Sequence, residues 1–500
     1  MIAPPPADTQ FRPLHLFESG STLGTPRKLR MRSSREIQAS PINIGYECLD
    51  RDMWDREKAF PQLAETGVKW ARVQTGWGRC ELADGVFSFA WLDEIVDELI
   101  GIGVQPWFNV TYGNRLHTAA PAPDAVGWAP VYSESAARAW RRFVRELTKH
   151  FRDRVRHYEV WNEPDIRVFW KGVPPDPLKY AELVAITAEE IRRLHPDAVI
   201  IGGALSRGVD QHSLEFLERA LGAGMGRHVD VISYHCYRPR PEGLRARETL
   251  ALRAMLARHR LNPRIWQGEG GCPSEMSKAE AMAGIPWTEE KQAKWLLRQM
   301  IVDLDQEVEL TSHFHLSDFH NYFNDGPGNR NAYFGLLRLK GHTRKPSYFA
   351  FQSLCNLFDS DTRIDRELQC RLDVDETTST GAAPKDWMLT QVVPFVRRGQ
   401  PLLAFWYPAE LNPERYGQLP FQAGRVTITL TRKPGMELKD PVLIDLVNQQ
   451  AYCVTAKTLP FPYAPATDSG QQFVFEDLPL LDHPLLLTDA SAVDFQGGNT

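Results

Sequence analysis

The stretch HYEVWNEPD at residues 157–165 decides the fold. Its apolar first half is typical of a buried strand, which we predict over residues 156–163. Polar groups, Asn162 and Glu163, gather where this strand ends, and Pro164 cannot continue a strand. The stretch therefore predicts a strand that carries reactive side chains at its carboxyl end.

The same alternation extends in both directions from this stretch. Short apolar runs alternate with amphipathic runs of helical spacing, such as residues 88–103 and 177–196. The other predicted strands cover residues 42–47, 68–75, 104–110, 198–204, 229–237, 264–269 and 310–318. Eight strands alternating with helices predict an α/β fold, the (β/α)8 barrel. An open doubly wound sheet is the competing fold, but GYECLDRDMW after the first strand is no Gly-rich phosphate turn.

The sequence pattern changes near residue 355. Short alternating segments at 391–408, 425–433, 440–454 and 471–489 are separated by Gly, Pro, Asn and Asp. This pattern is typical of an antiparallel β-sandwich. We therefore predict an N-terminal lead-in segment at residues 1–40, a catalytic barrel at 41–354 and a C-terminal antiparallel β-sandwich domain at 355–500.

Composition argues against several kinds of partner. The 58 basic and 63 acidic residues give a formal net charge of −5, so we expect no nucleic acid and no anionic membrane as partner. The seven Cys form no C-x-x-C pair, which disfavours a zinc site or a disulfide scaffold. We see neither a secretory leader nor a transmembrane run, and we expect a cytoplasmic protein. The oligomeric state is open.

Two acidic residues stand at strand ends far apart in sequence. Glu163 ends the predicted fourth strand and Glu269 the seventh, and a barrel brings the carboxyl ends of its strands around one pocket. Cleavage of a glycosidic bond needs one neutral carboxyl group and one ionised carboxylate. Identical residues can do both only where their surroundings separate their pKa values. Glu275 is the nearest rival for the second position, but it follows Pro273 in a predicted loop.

Neighbouring residues suggest how the two pKa values could be separated. Trp161 and Trp170 could wall the site and keep Glu163 poorly solvated, which raises its pKa. The amide of Asn162 could donate to a sugar hydroxyl.

Glu269 would need to remain charged. Arg72, His235 and Tyr237 are the residue types that hydrogen-bond a carboxylate and lower its pKa.

Further strand ends offer candidate sugar contacts. They are Asn109, Tyr112, Asn114, Trp128, Trp287, His315 and Asp318. His313, His315 and His320 with Asp318 could imitate a metal cluster, but no ligand spacing of a zinc site is present, and we expect neither a metal nor a cofactor.

EVWNEPD with the downstream FWKG resembles the acid/base segment of retaining glycoside hydrolases of clan A, the 4/7 superfamily. The run at 157–205 is most similar to family 39, which contains β-xylosidases. The resemblance implies a barrel followed by a β-sandwich over residues 41–490. It also implies Glu163 as acid/base beside Asn162, and Glu269 as nucleophile. His235 and Tyr237 match the SYHxY segment of the family.

The resemblance implies a retaining β-glycosidase that works by double displacement, with a β-xyloside as first substrate. Other β-glycosides, arabinosides and internal cleavage stay open, because Gly268 and Gly270 flank Glu269 where family xylosidases commonly have Thr and Phe. A carbohydrate-binding barrel without catalysis is the alternative from another class. For a retaining enzyme we expect the two carboxyl groups about 5–5.5 Å apart.

Overall fold

The predicted barrel is confirmed. The computed structural model describes residues 23–243, 245–277, 281–323, 330–374, 390–418, 420–421, 423–431, 436–460 and 471–497. Within these residues, eight parallel strands close a barrel in chain order. With strands numbered along the chain, they are β2 (Ile42–Gly45), β3 (Trp70–Gln74), β6 (Gln105–Val110), β7 (His157–Val160), β8 (Val199–Leu205), β9 (Val231–Cys236), β10 (Arg264–Gly270) and β11 (Leu310–His313).

Some strands end earlier than predicted. The fourth barrel strand, β7, stops at Val160 because Trp161 and Glu163 adopt left-handed backbone angles, with φ of 70° and 43°. Non-glycine residues adopt such angles mainly in turns, and strand pairing cannot continue through them. Glu163 therefore stands on a turn above the strand, whereas Glu269 lies within β10.

A helix follows each barrel strand and covers the outside of the sheet. These helices are α1 (Arg56–Glu65), α3 (Ala90–Gly101), α4 (Glu134–Phe151), α5 (Pro177–Leu194), α6 (Gln211–Gly222), α7 (Arg245–Arg258), α8 (Glu289–Asp305) and α9 (Pro346–Leu357). A short helix, α2 (Trp77–Cys80), lies in the loop after β3. Local signals set the bounds of α5: the Asp176 side chain accepts from two backbone N–H groups, Pro177 opens the first turn, and the helix ends before Pro196.

Aromatic side chains fill the lower barrel interior. Trp107 and Trp266 pack edge to face at 5.4 Å between ring centroids, and Trp70 packs against Trp266. The Trp107 indole N–H donates to Asn43 at 2.8 Å. This apolar layer lies beneath Arg72, whose guanidinium is 5.6 Å from the Trp107 ring. The floor beneath Arg72 therefore excludes water on that side, which strengthens the electrostatic interactions of the guanidinium.

The C-terminal part forms two antiparallel sheets, as predicted. Their strands are β1 (Pro26–Lys28), β14 (Thr362–Ile364), β15 (Cys370–Val374), β16 (Gln391–Arg397), β17 (Gln400–Trp406), β18 (Gly424–Thr431), β19 (Pro441–Asp445), β20 (Gln450–Cys453), β21 (Lys457–Pro460), β22 (Gln471–Leu480) and β23 (Leu485–Asp489). One sheet has the order β1-β20-β19-β23-β17-β16-β14 and the other β15-β18-β22-β21. Two further two-stranded sheets lie in loops of the barrel. One pairs β4 (Glu81–Ala83) with β5 (Val86–Phe87), and the other pairs β12 (Phe319–Phe323) with β13 (Arg330–Ala332).

The predicted lead-in segment contributes to this second part of the fold. Its β1 pairs with β20 at the edge of the larger sheet, while residues 1–22 lie outside the described part of the chain. The domain limits at residues 40 and 354 stay a prediction.

A buried ion pair ties the sandwich to the barrel. Arg298 on α8 donates to Glu242 through Nε at 2.7 Å and Nη2 at 2.6 Å, and Trp406 of β17 donates its indole N–H to the same carboxylate at 2.7 Å. Glu242 lies five residues beyond Tyr237, in the loop after β9. The sandwich therefore anchors a loop at the carboxyl end of the barrel.

Among the helices of the described residues, none is both long and apolar enough to pass through a bilayer.

Candidate active site

Barrel closure brings Glu163 and Glu269 together, although 106 positions separate them in sequence. One carboxylate oxygen of each residue and a ring nitrogen of His235 all lie within 4.8 Å of one another. Both residues remain slightly exposed, at 6% and 8%. Two carboxyl groups at this separation, both reached by solvent, are close to the spacing expected of a retaining glycosidase and well below that of an inverting one.

Glu163 is held where a proton is favoured. Burial raises its pKa well above the ordinary value, and the negative charges of Glu269 and Asp165 raise it further. His235 places Nδ1 2.9 Å from Oε1 of Glu163. Burial and the charge of Arg72 lower the pKa of His235 well below its usual range, so the ring is neutral. The hydrogen bond between the Glu163 carboxyl group and the neutral His235 ring therefore contains one proton, and the ring brings no positive charge to the site.

Glu269 has stronger partners. Arg72 donates from Nη1 to Oε2 at 2.6 Å, and the Tyr237 hydroxyl donates to Oε1 at 2.5 Å. Burial still raises the pKa of Glu269, and Arg72 and Tyr237 oppose this rise. The sequence had suggested a lowered pKa, and the difference arises because desolvation outweighs the two hydrogen bonds. Since Glu163 has no hydrogen bond from a cation, Glu163 is the group that keeps its proton more firmly.

His235 and Tyr237 divide differently between the two acids than expected. Both were predicted to support Glu269, but His235 bonds Glu163 and lies 3.7 Å from Oε2 of Glu269. Of these two residues, Tyr237 is the one that donates to Glu269. The rival Glu275 is exposed in the loop after β10 and does not join the pair.

Arg72 connects four side chains of the site. Besides Glu269, its guanidinium bonds Glu47 at 3.1 Å, Glu159 through Nε at 2.9 Å and again through Nη2, and the side-chain oxygen of Asn162 at 2.9 Å. Glu159 had no predicted role, although an acidic residue in the middle of an apolar strand was a signal that it faces a buried partner. Asn162 is thereby oriented with its oxygen toward Arg72.

Replacing Arg72 tests this network. We expect Arg72→Met to lower the free energy of unfolding by about 3–5 kcal/mol, because it leaves buried carboxylates without their cation. Urea unfolding at neutral pH measures the change. Arg371→Met is the matched control, since Arg371 forms an ion pair whose side chains are 74% and 52% exposed; exposed pairs contribute about 0–1 kcal/mol. Equal stabilities of the two variants would contradict the network.

Three residues that the sequence predicts to wall the site or contact the sugar are buried in the protein interior instead of lining an open pocket. Trp161 donates its indole N–H to the Phe169 carbonyl, and Trp170 donates to the Tyr132 hydroxyl, both at 2.8 Å. Asn109 donates to Glu159 at 2.9 Å and to the Trp161 carbonyl at 2.6 Å. All three are fully buried. Their geometry supports the turn that carries Glu163, and a direct contact with a sugar stays a prediction.

The candidate contacts after β11 are also internal. His315 is buried, with Nδ1 3.2 Å from the backbone of Ser317 and Nε2 3.5 Å from Glu47. Asp318 forms a buried ion pair with Lys345 at 2.6 Å. His313 and His320 each face a backbone carbonyl, of Phe334 and Met53. The structure does not bring these three histidines and Asp318 into one ligand set.

Two groups in the described residues have a spacing that could hold a metal ion. One is Glu163, His235 and Glu269, where Arg72 already donates to Glu269. The other is Glu81, Asp84 and His117, where Arg142 pairs with both acidic residues. In each case an arginine guanidinium beside the group provides a positive charge for its carboxylates.

The closed barrel with paired acids at its carboxyl end defines the class of (β/α)8 glycoside hydrolases. The model of glycosyl hydrolases family 39 matches residues 79–386, and the chain belongs to this family.

Two curated relatives are β-xylosidases. That of Geobacillus stearothermophilus is 27% identical over 160 residues, which is 30% of this chain and 31% of the relative. That of Caldicellulosiruptor saccharolyticus is 24% identical over 334 residues, 61% of this chain and 65% of the relative. The chain thus spans less than two thirds of either. The β-galactosidase BgaH of Haloferax lucentense is 43% identical over 58 residues, 11% of this chain and 9% of the relative.

Solved structures share the fold. A family 39 glycoside hydrolase from Bacteroides cellulosilyticus WH2 superposes with a TM-score of 0.62 at 17% identity, covering 92% of this chain and 82% of the other. A monomeric β-xylosidase from Caulobacter crescentus CB15 gives 0.56 at 17% identity, covering 92% and 97%. These likenesses extend over both the barrel and the sandwich.

Proposed function

We propose that this chain is a retaining β-glycosidase that hydrolyses β-glycosides by double displacement. The observation that carries the proposal is the pair of acids, Glu163 and Glu269, with oxygens within 4.8 Å of each other and with unequal partners. Family membership supports the same reaction class.

In the first step Glu269 attacks the anomeric carbon and forms a covalent glycosyl-enzyme, while Glu163 protonates the departing oxygen. Arg72 and Tyr237 hold the two Glu269 oxygens in place. Because Arg72 donates to the side-chain oxygen of Asn162, the amide N–H groups are what Asn162 can offer to a sugar hydroxyl. Such a bond can strengthen in the oxocarbenium-like transition state.

In the second step Glu163 accepts a proton from water, which attacks the glycosyl-enzyme and releases the sugar with its configuration unchanged. Glu163 has given its proton to the departing aglycone, so it is ionised beside neutral His235 and can accept the proton from water. Arg72 and Tyr237 stabilise Glu269 as it leaves. The residues named here supply acid, base and nucleophile, so we assign no step to a cofactor.

We infer that a β-xyloside is the leading candidate substrate, because two curated relatives are β-xylosidases. A β-galactoside is the second candidate, supported by the short match to a β-galactosidase.

A panel of aryl glycosides (β-xyloside, β-galactoside, β-glucoside and α-arabinoside) tests activity and sugar preference together. We expect turnover of at least one sugar by the wild type, highest on the β-xyloside, and none by Glu269→Ala. Proton NMR of the first-formed sugar should show the anomeric configuration of the substrate before mutarotation. First formation of the opposite anomer would indicate inversion, and no turnover of any member would favour a carbohydrate-binding barrel.

A further inference from the structure

Glu47, a buried acidic residue outside the proposed reaction steps, contacts the same cation as Glu269. The Arg72 nitrogen Nη1 donates both to Glu269 at 2.6 Å and to Glu47 at 3.1 Å. Glu159 also bonds this guanidinium, so one positive charge faces three carboxyl groups. With all three ionised, the buried network would carry two uncompensated negative charges, which is unfavourable away from water.

The three acids are not equally supported as anions. Glu159 accepts two bonds from Arg72, one from Asn109 at 2.9 Å and one from the Ser233 hydroxyl at 2.5 Å. Glu269 accepts one bond each from Arg72 and from Tyr237. Hydrogen bonds to a carboxylate favour its charged form, and Glu159 accepts the most of them among the three acids.

Glu47 has the weakest support. Arg72 alone donates to its Oε1, and Oε2 has no hydrogen-bond partner among the described residues. A Cβ added at Gly45 would lie 2.5 Å from Oε2, so this oxygen packs closely against the Gly45 backbone. Nε2 of His315 lies 3.5 Å from Oε2, too far for an effective hydrogen bond.

We propose that Glu47 is a positioning residue that stays protonated in the active enzyme, leaving the charge of Arg72 to Glu269, and that its ionisation at alkaline pH draws Nη1 away from Glu269 and disables the nucleophile. The inference rests on the proposed function of Glu269.

The surroundings of Glu47 agree with this role. Among the described residues, the titratable and charged groups that face it are Arg72 on β3, Glu269 on β10, His315 after β11 and the adjacent Cys48. Burial raises the pKa of Glu47 to about 8, against the charge of Arg72, and the charge of Glu269 raises it further. Burial lowers the pKa of His315 to about 3 and raises that of Cys48 to about 12, so neither titrates in the same range.

Trapping of the nucleophile tests the proposal. The probe is 2,4-dinitrophenyl 2-deoxy-2-fluoro-β-xyloside, whose leaving group departs without a proton, so the titration of Glu163 is silent. We expect the trapping rate of the wild type to fall about tenfold or more between pH 7 and pH 10, as Glu47 loses its proton. The trapping rate of Glu47→Gln should match that of the wild type within about threefold at pH 6.5 and should fall less than about twofold by pH 10. The introduced amide cannot ionise, and its oxygen still accepts from Arg72.

Glu190→Gln is the control for a buried glutamate outside the site. Glu190 lies on the outer helix α5 and pairs with Arg145 and Arg193. This variant should keep the alkaline fall of the wild type. An unchanged alkaline fall in Glu47→Gln, or a loss above about 100-fold at pH 6.5, would overturn the proposal.

Stability provides a readout that does not need activity. The pKa of Glu47 is raised in the folded state, so its contribution to stability is full below about pH 4.5 and is lost as the pH rises toward 8. The melting temperature of Glu47→Gln relative to wild type should therefore increase between pH 5 and pH 9. A pH-independent difference would exclude a protonated Glu47. If the probe traps no wild type at any pH while this difference rises, the β-xyloside proposal fails and the protonation of Glu47 stands.

Discussion

Glu269→Gly is expected to lower kcat on an aryl β-xyloside by about 10⁴-fold or more, because the variant lacks the group that forms the covalent intermediate. Arg72 and Tyr237 would then face an empty space in place of the two carboxylate oxygens. Azide is small enough to enter this space and attack the anomeric carbon. We expect azide to restore turnover and to give the α-glycosyl azide, with configuration opposite to that of the substrate.

Glu275→Gly is the matched control, since Glu275 is exposed in the loop that follows the same strand. It should keep nearly full activity and give no glycosyl azide. Azide rescue of Glu275→Gly, with Glu269→Gly still active unaided, would show that the nucleophile has been assigned to the wrong residue.

Glu163→Ala is expected to lower kcat/KM by about 10²–10⁴-fold on substrates whose leaving group needs a proton. A 2,4-dinitrophenyl glycoside should lose little in the first step, because its leaving group departs unprotonated. The glycosyl-enzyme should then accumulate, since no base activates water. Azide should release the intermediate as the β-glycosyl azide, the opposite anomer to that from Glu269→Gly.

The pH profile of Glu163→Ala provides a second measurement. The pKa of Glu163 is raised well above its ordinary value by burial and by neighbouring negative charge. The acid form that protonates the leaving group is therefore lost as the pH rises through this raised value, and wild-type kcat/KM should fall on that side. Glu163→Ala should lose this part of the alkaline fall and keep only the part that the ionisation of Glu47 causes. Equal losses for good and poor leaving groups would show that Glu163 is not the acid.

The barrel could be predicted because its signals are local. Each strand has its own apolar run, and helices such as α5 have a cap, a first-turn proline and a stop within the same short segment. The WNEP segment was equally informative, since an Asn-Glu pair before a proline at a strand end has few structural uses. Glu269 needed more: its role followed from counting strands around the barrel and from the resemblance to family 39.

Other features could not be predicted because they depend on which side chains meet across the barrel. The sharing of Arg72 among Glu47, Glu159 and Glu269 involves four different strands or strand ends. The place of His235 beside Glu163 depends on the left-handed turn that lifts Glu163 above β7. The pKa of Glu269 depends on burial, which no local pattern measures.

The sequence alone determined an alternating strand and helix order, a β-rich C-terminal part, and two acids at the carboxyl ends of the fourth and seventh strands. Only the tertiary structure decided how those acids differ. Hydrogen bonding and desolvation act over a few ångströms in space, and barrel closure creates those distances between residues that are far apart along the chain.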